Sequence, residues 1–163
     1  YSNGKVCLSI INTWHGEGWT SCQTISSILL ILQTLLNENP LLNEPGINKN
    51  DKNISLYNKY VSFKNIEYSI IQQLDSMNKL LNNERVRYLS EDHKKVLLIF
   101  NNIIYDNFKN NYHIIKNEIK NLKNDIDNNN DKNNFIYISI YNIKFSIKIL
   151  DLENNFNRII LKN

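Results

Sequence analysis

Cys7 is the residue of this sequence that is best suited to covalent chemistry. It stands in the run Asn-Gly-Lys-Val-Cys-Leu-Ser-Ile at residues 3–10. An Asn-Gly turn signal and a β-branched residue precede the thiol, and an alternation of apolar and polar residues follows it. This pattern predicts a nucleophile at the end of a short extended segment rather than inside a helix. The competing interpretation is a small buried hydrophobic residue, which is the commoner role of a lone cysteine.

The other candidate nucleophiles and ligands are weaker. Cys22 lies just before a predicted helix N-terminus, where the dipole and free N–H groups favour a thiolate, although a plain loop residue is the commoner interpretation. His15 could pair with Cys7, but the sequence offers no third group to orient the imidazole. Cys7, His15 and Cys22 lack the paired spacing of metal ligands, and His93 and His113 fall on predicted helices. We therefore expect no metal, and with four glycines and no phosphate loop we expect no cofactor.

Length and composition favour one soluble domain. The 163 residues suffice for a modest core, and two cysteines without an apolar leader argue against a secreted disulfide scaffold. The longest apolar run, Ile28 to Leu32, is far shorter than a membrane span. The net charge of +3 is spread along the chain, so we expect neither nucleic acid nor a membrane as a partner. The expected location is the cytoplasm, with the nucleus as the alternative.

Asparagine makes up about a fifth of the residues and alanine is absent, which departs strongly from average usage. Because Asn, Lys, Ile and Tyr share A/T-rich codons, genome bias is the simplest cause. The asparagine-rich segments 48–53 and 124–134 are therefore predicted to be inserted polar loops rather than binding sites.

Three amphipathic helices are predicted from apolar residues at helical spacing. The first covers residues 24–36, with Thr24 as its N-cap and the run Asn-Glu-Asn-Pro as its stop. The second runs from about Tyr57 to Leu81 and the third from about Asp92 to Leu122. Residues 138–149 mostly alternate between apolar and polar, which favours a β-strand, paired with another at residues 157–161.

The order of motifs in residues 3–46 resembles the ubiquitin-conjugating enzyme family. In that family the segment N-G-x-[IV]-C-L-x-[IL] carries the catalytic cysteine, which corresponds to Cys7. A tryptophan, a partner-contact loop of the Ser-Pro-Ala type and the second helix, T-I-x-x-[VI]-L-x-x-[IL]-x-x-L-L, then follow. Here the tryptophan is Trp19 and the second helix is residues 24–36. The partner-contact loop corresponds to Thr20, Ser21 and Cys22. The Asn-Pro and Asn-Glu-Pro-Gly turns at 39–46 match the family's crossing loop.

Finer features look like one branch of that family. Residues 12–16, Asn-Thr-Trp-His-Gly, lengthen the loop between Cys7 and Trp19 beyond that of ordinary members. With the Asn-Glu-Pro-Gly turn, this resembles the very large hybrid enzymes that combine conjugating and ligase activities in one chain. The helix from Tyr57 resembles the extended C-terminal helices of that branch. The resemblance covers about residues 1–122.

The resemblance implies that Cys7 accepts ubiquitin from the activating enzyme as a thioester and passes it to a lysine of a substrate protein. A ubiquitin ligase, or the protein's own ligase region, would be a further partner. The family's acidic gate residue falls at Asn43 or Glu44, and a carboxylate there would help to deprotonate the incoming lysine. The family's oxyanion-stabilising asparagine falls just before Tyr1, and Asn3 is not its substitute. Trp14 and Trp19 are expected to pack and hold the active-site loop.

The implied fold class is α+β, the mainly helical C-terminal half of the family fold with a β-rich C-terminal extension. We expect a partial ubiquitin-conjugating domain at 1–123, an asparagine-rich loop at 124–134 and a β-like extension at 135–163. Because the helix at 24–36 normally packs on the family's sheet, its exposed face would make the isolated chain prone to aggregation. The alternative functions are a non-catalytic module that contacts ubiquitin or a ligase, and a helical interaction fragment in which Cys7 is incidental.

Overall fold

The computed structural model describes residues 6–128 and 135–161, which form six α-helices, one π-helical segment and two short strands. The elements in chain order are α1 (Ile25–Leu35), α2 (Asn53–Lys64), the π-helical segment (Asn65–Gln72), α3 (Gln73–Leu81), α4 (Glu91–Ile99), α5 (Asn101–Asn128), β1 (Phe135–Ile138), β2 (Ile143–Ser146) and α6 (Ile149–Leu161). The predicted α+β class is confirmed, because helices dominate and the two strands form a small antiparallel sheet. None of the helices in the described ranges combines the length and apolar character that a bilayer crossing requires.

The chain divides into two compact units. The first comprises Tyr1–Asn58 together with Ile138–Asn142, and the second comprises Lys59–Tyr137 and Ile143–Asn163. The boundary between Asn58 and Lys59 therefore falls inside α2. Residues 138–142, at the turn between the two strands, group with the first unit although β2 groups with the second.

Helix α1 confirms the predicted first helix and its N-cap. The Thr24 hydroxyl accepts a hydrogen bond from the Ser27 backbone N–H, and the Ser27 hydroxyl accepts one from the Thr24 N–H. This reciprocal pair satisfies two donors that the first helical turn would leave free. No residue of α1 is buried, and a set of its apolar side chains is largely exposed: Ile25, Leu29 and Leu30. The predicted exposed face is therefore present, and the aggregation that it implies remains a prediction.

Helix α2 begins earlier than the sequence indicated. It starts at Asn53 rather than near Tyr57, so the predicted polar loop at 48–53 is shorter than expected. The reason is local, because the Asp51 carboxylate accepts hydrogen bonds from the Asn53 backbone N–H (2.8 Å) and side-chain amide (2.9 Å). An acidic side chain that receives a first-turn N–H stabilises a helix start.

The second unit is a helical assembly with its own core. The predicted third helix is two helices, because the chain breaks at Phe100 between α4 and α5. At that break the Asn101 side-chain amide donates to the Leu98 carbonyl, a local bond that competes with the helix ladder. Helix α3 packs against α4 and α5, and α5 packs against α6. Helix α5 continues to Asn128, so residues 124–128 of the predicted loop are helical, and residues 129–134 lie outside the described ranges.

The C-terminal extension contains less β-structure than predicted. Strands β1 and β2 account for part of the alternating segment, but the strand expected at 157–161 is wrong because those residues belong to α6. Four buried side chains of this helix recur at intervals of three and four: Ile149, Leu152, Phe156 and Ile159. That spacing is helical, and it becomes visible only when the whole segment is considered together. Phe156 stacks on Tyr112 of α5 with ring centroids 5.6 Å apart.

Candidate active site

Cys7 lies in an irregular segment just ahead of a short 3-10 turn at Ser9–Ile11. Leu8, which follows Cys7, has extended backbone angles, while residues 3–5 of the predicted extended segment lie outside the described residues. The thiol is free and the residue is half-buried. Asn12 ends the turn with a left-handed backbone, φ 59°, a conformation that asparagine tolerates better than most residues. Cys7 is thus carried by a loop and not by a helix or a strand.

The hydroxyl of Thr13 bonds to the backbone on both sides of Cys7. Thr13 Oγ1 donates to the Val6 carbonyl at 2.6 Å and accepts from the Leu8 N–H at 2.9 Å. The Thr13 N–H also donates to the Leu8 carbonyl, at 3.1 Å. One side chain therefore closes the loop around the cysteine.

A cleft of about 370 Å³ opens beside Cys7. Its walls come from four parts of the first unit: the cysteine loop, the end of α1, the turn that follows it and the start of α2. The lining residues are Val6, Cys7, Trp14, Leu35, Pro40, Asn43, Glu44, Pro45 and Tyr57. The structure thus brings Cys7 together with both candidates for the gate position.

The two gate candidates have different surroundings. The Asn43 side-chain amide donates to the Leu35 carbonyl at the end of α1 (2.9 Å), and its oxygen accepts from the Asn37 amide (3.1 Å). Both ends of that side chain are therefore engaged in closing the helix C-terminus. The half-buried Glu44 carboxylate, by contrast, has no hydrogen-bond or ion-pair partner among the described residues. Glu44 is accordingly the better candidate for proton transfer in the cleft.

The residues expected to contact partners lie on the surface. Trp19 is 49% exposed, and the following residues Thr20, Ser21 and Cys22 are exposed as well. Trp14 is also half exposed, but it lines the cleft and lies beside His15 with ring centroids 6.0 Å apart. The expectation that both tryptophans are packing residues is therefore met only in part, since about half of each side chain faces solvent.

Some components of the site had no signal in the sequence. The sequence marks Thr13 only as part of the lengthened loop and Tyr57 only as the start of a helix, and the fold brings them to Cys7 and its cleft. In the described ranges, no three His, Cys, Asp or Glu side chains cluster as a metal site would require. The arrangement can support acyl transfer through the thiol, assisted by a carboxylate that lines the same cleft.

Comparison with known proteins gives this site its context. Residues 1–70 match the family model for ubiquitin-conjugating enzyme. Ubiquitin-conjugating enzyme E2 Z of Homo sapiens is 40% identical over 80 residues, covering 46% of this chain and 22% of that protein. Putative ubiquitin-conjugating enzyme E2 38 of Arabidopsis thaliana is 47% identical over 51 residues, covering 28% of the chain and 16% of that protein.

A third relative belongs to the hybrid type. The dual E2 ubiquitin-conjugating enzyme/E3 ubiquitin-protein ligase BIRC6 of Homo sapiens is 52% identical over 52 residues, covering 28% of this chain and 1% of that protein. The chain thus spans a quarter or less of these relatives' length. No solved structure matches it. The match to the ubiquitin-conjugating enzyme family model covers residues 1–70, the part of the chain that carries Cys7, its loop and the whole cleft.

Proposed function

We propose that this chain carries ubiquitin as a thioester on Cys7 and transfers it to a lysine of a substrate protein. The observation that carries the proposal is the position of Cys7, which lies in the segment matched to the family and lines a cleft together with Glu44. Relatives named as ubiquitin-conjugating enzymes match 46% and 28% of the chain.

The reaction consists of two acyl transfers. In the first, the Cys7 thiolate attacks the thioester that links the ubiquitin carboxyl terminus to the activating enzyme. A new carbon–sulfur bond forms on Cys7, and the activating enzyme leaves as its thiolate. In the second, a lysine amine attacks the new thioester, an isopeptide bond forms, and Cys7 leaves as a thiolate. The attacking amine must lose a proton, and we assign its acceptance to the Glu44 carboxylate because Glu44 lines the same cleft as Cys7.

The decisive experiment uses both cysteines of the chain. The protein is incubated with ubiquitin, activating enzyme and ATP, and adducts are separated with and without reductant. We expect a reductant-sensitive adduct in the wild type and in Cys22→Ala, and none in Cys7→Ala. Cys22 is the matched control because it is also free, and it is exposed. Absence of any adduct on the wild type would refute the conjugating function and favour the non-catalytic binding module.

The role of Glu44 is tested in the discharge step. After charging, Glu44→Gln should release ubiquitin to free lysine more slowly, by about tenfold or more, because positioned acid–base groups contribute rate factors of this order and above. The charging step should be unaffected. Glu38→Gln is the matched control, since Glu38 is an exposed carboxylate outside the cleft lining. Equal discharge by both variants would exclude Glu44 as the base.

The finer proposal is that the domain works within a hybrid enzyme that is both conjugating enzyme and ligase. It is supported by the 52% identity to BIRC6 over 52 residues. The exposed surface formed by Trp19, Thr20, Ser21 and Cys22 would then receive a ligase or a ligase region. Substitution of Trp19 by alanine should leave charging intact and weaken ligase-stimulated discharge, and unchanged stimulation would rule out that surface.

A further inference from the structure

We propose that Thr13 is a positioning residue for the thiol of Cys7, an inference that rests on the proposed function. Its hydroxyl fixes both peptide groups that flank the cysteine. The Val6 carbonyl belongs to the peptide group that precedes Cys7, and the Leu8 N–H belongs to the one that follows it. Thr13 Oγ1 lies 2.6 Å from the first and 2.9 Å from the second.

This geometry determines the direction of the Cys7 Cα–Cβ bond, which carries the thiol. The Cα–Cβ direction of a residue follows from the orientation of its two adjacent peptide planes. A single oxygen that bonds to both planes holds them in one relative orientation, and so fixes the backbone angles of Cys7. The hydroxyl can do this because it donates one hydrogen bond while accepting another. No helix or sheet ladder is available at residues 6–8 to perform the same task.

The chemistry is sensitive to such positioning. Acyl transfer requires the sulfur and the carbonyl carbon to meet at about 3–3.5 Å, and an error of about 1 Å can cost about 100-fold in rate. The Val6 carbonyl and Leu8 N–H would bond to water if the hydroxyl were removed, so the loop would sample other conformations. The thiol would then be easier to reach but less often aligned.

The proposal predicts opposite effects on two measurements. Thr13→Val keeps the shape of the side chain and removes both hydrogen bonds. We expect Cys7 to react with iodoacetamide at least about twofold to tenfold faster, because that range corresponds to the loss of one hydrogen bond and this variant loses two. Cys22 in the same molecule is the internal reference, because it is already exposed. Ubiquitin charging of Cys7 should slow by a similar factor or more.

Two variants separate positioning from general loss of structure. Thr13→Ser retains the hydroxyl and should restore both rates towards those of the wild type. Thr34→Val is the matched control, because Thr34 is exposed and its hydroxyl bonds only within α1, to the Ile31 carbonyl at 2.7 Å. It should change neither rate. If Thr13→Val fails to fold, amide exchange in the wild type still tests the hydrogen bond from the Leu8 N–H to the Thr13 hydroxyl. The proposal requires this N–H to exchange more slowly than its intrinsic rate.

The outcomes distinguish this proposal from the proposed function. If the wild type forms no ubiquitin adduct, the conjugating function fails. The ratio of Cys7 to Cys22 alkylation rates and the exchange of the Leu8 amide still report whether the Thr13 hydroxyl holds the cysteine loop. If the wild type forms the adduct and Thr13→Val charges and alkylates like wild type, the positioning role is overturned. An unprotected Leu8 amide would overturn it as well.

Discussion

Replacing Asn43 by aspartate tests whether position 43 or 44 is the gate of the site. The substitution introduces the acidic residue type that the family places at its gate, so a gate role predicts faster ubiquitin discharge. The structure instead predicts a lower free energy of unfolding. The Asn43 Nδ2 group donates to the Leu35 carbonyl at 2.9 Å, and aspartate would place a carboxylate oxygen against that carbonyl oxygen.

The expected loss of stability follows from two terms. Removing one hydrogen bond costs ~0.5–1.5 kcal/mol, and a negative charge at the C-terminal end of α1 costs a further ~0.3–1 kcal/mol. The bond that the Asn43 oxygen receives from Asn37 survives and becomes charge-assisted, which offsets part of the loss. Because the site is exposed, solvent screening reduces the charge term. We expect a net loss of about 1 kcal/mol in the free energy of unfolding.

The loss should depend on pH in a defined direction. A carboxylate facing a carbonyl is stabilised by protonation, so its pKa in the folded Asn43→Asp variant should be raised above the unfolded value near 4. The destabilisation relative to the wild type should therefore be full at pH 7 and shrink as the pH falls through that raised pKa. Protonation also restores a donor that can reach the Leu35 carbonyl.

The assay is denaturant unfolding of the two proteins at pH 7 and at pH 3.5–4, together with ubiquitin discharge to lysine. Asn50→Asp is the matched control, since Asn50 is an exposed loop residue whose backbone N–H donates to the Asn48 side chain. If Asn43→Asp is as stable as the control and discharges ubiquitin faster than wild type, the argument for Glu44 is wrong.

Three further substitutions test the parts of the fold that surround the site. Thr24→Ala removes the α1 cap and should destabilise that helix by ~1 kcal/mol. Amide exchange should become faster in α1 alone, and unchanged exchange would contradict a stabilising role of the cap. Hydrogen bonds from Asn53, first from its backbone N–H, hold the pKa of Asp51 below its ordinary value. The stability they supply is present above about pH 4 and lost below it, so Asp51→Asn should remove this acid dependence of α2 helicity in an NMR titration. Phe156→Ala should cost ~3–5 kcal/mol in denaturant unfolding, and Leu150→Ala, at a position 63% exposed, should cost little.

Local signals explain what the sequence could predict. Helix α1 was located together with its cap because Thr24 and the apolar repeat are adjacent in the chain. Cys7 was found because its neighbours form a contiguous motif. The sequence does not indicate the start of α2, because Asp51, which accepts from the first turn, stands in a run of polar residues that resembles an ordinary loop. The sequence predicts a strand at residues 157–161, the end of α6, because the last residues of that helix, Arg-Ile-Ile-Leu, show no period by themselves.

The site was only partly predictable for a different reason. Asn43 and Glu44 are neighbours of similar size in one turn, and only the hydrogen bonds of the fold distinguish them. Thr13 stands six residues after Cys7, and the 3-10 turn between them is what returns its hydroxyl to the cysteine. Such contacts depend on the path of the backbone, which no residue spacing specifies.

The distribution of buried side chains explains why hydrogen bonds matter so much at this site. In the first unit, only Leu41, Asn53 and Ile138 are buried among the described residues, whereas the second unit holds the other buried side chains. Packing therefore contributes little rigidity around Cys7. On the proposed function, we expect the precision that acyl transfer requires to come from polar contacts such as those of Thr13 and Asn43. It follows that isosteric changes that delete a single hydroxyl or amide should impair transfer more than trimming an exposed apolar side chain of α1.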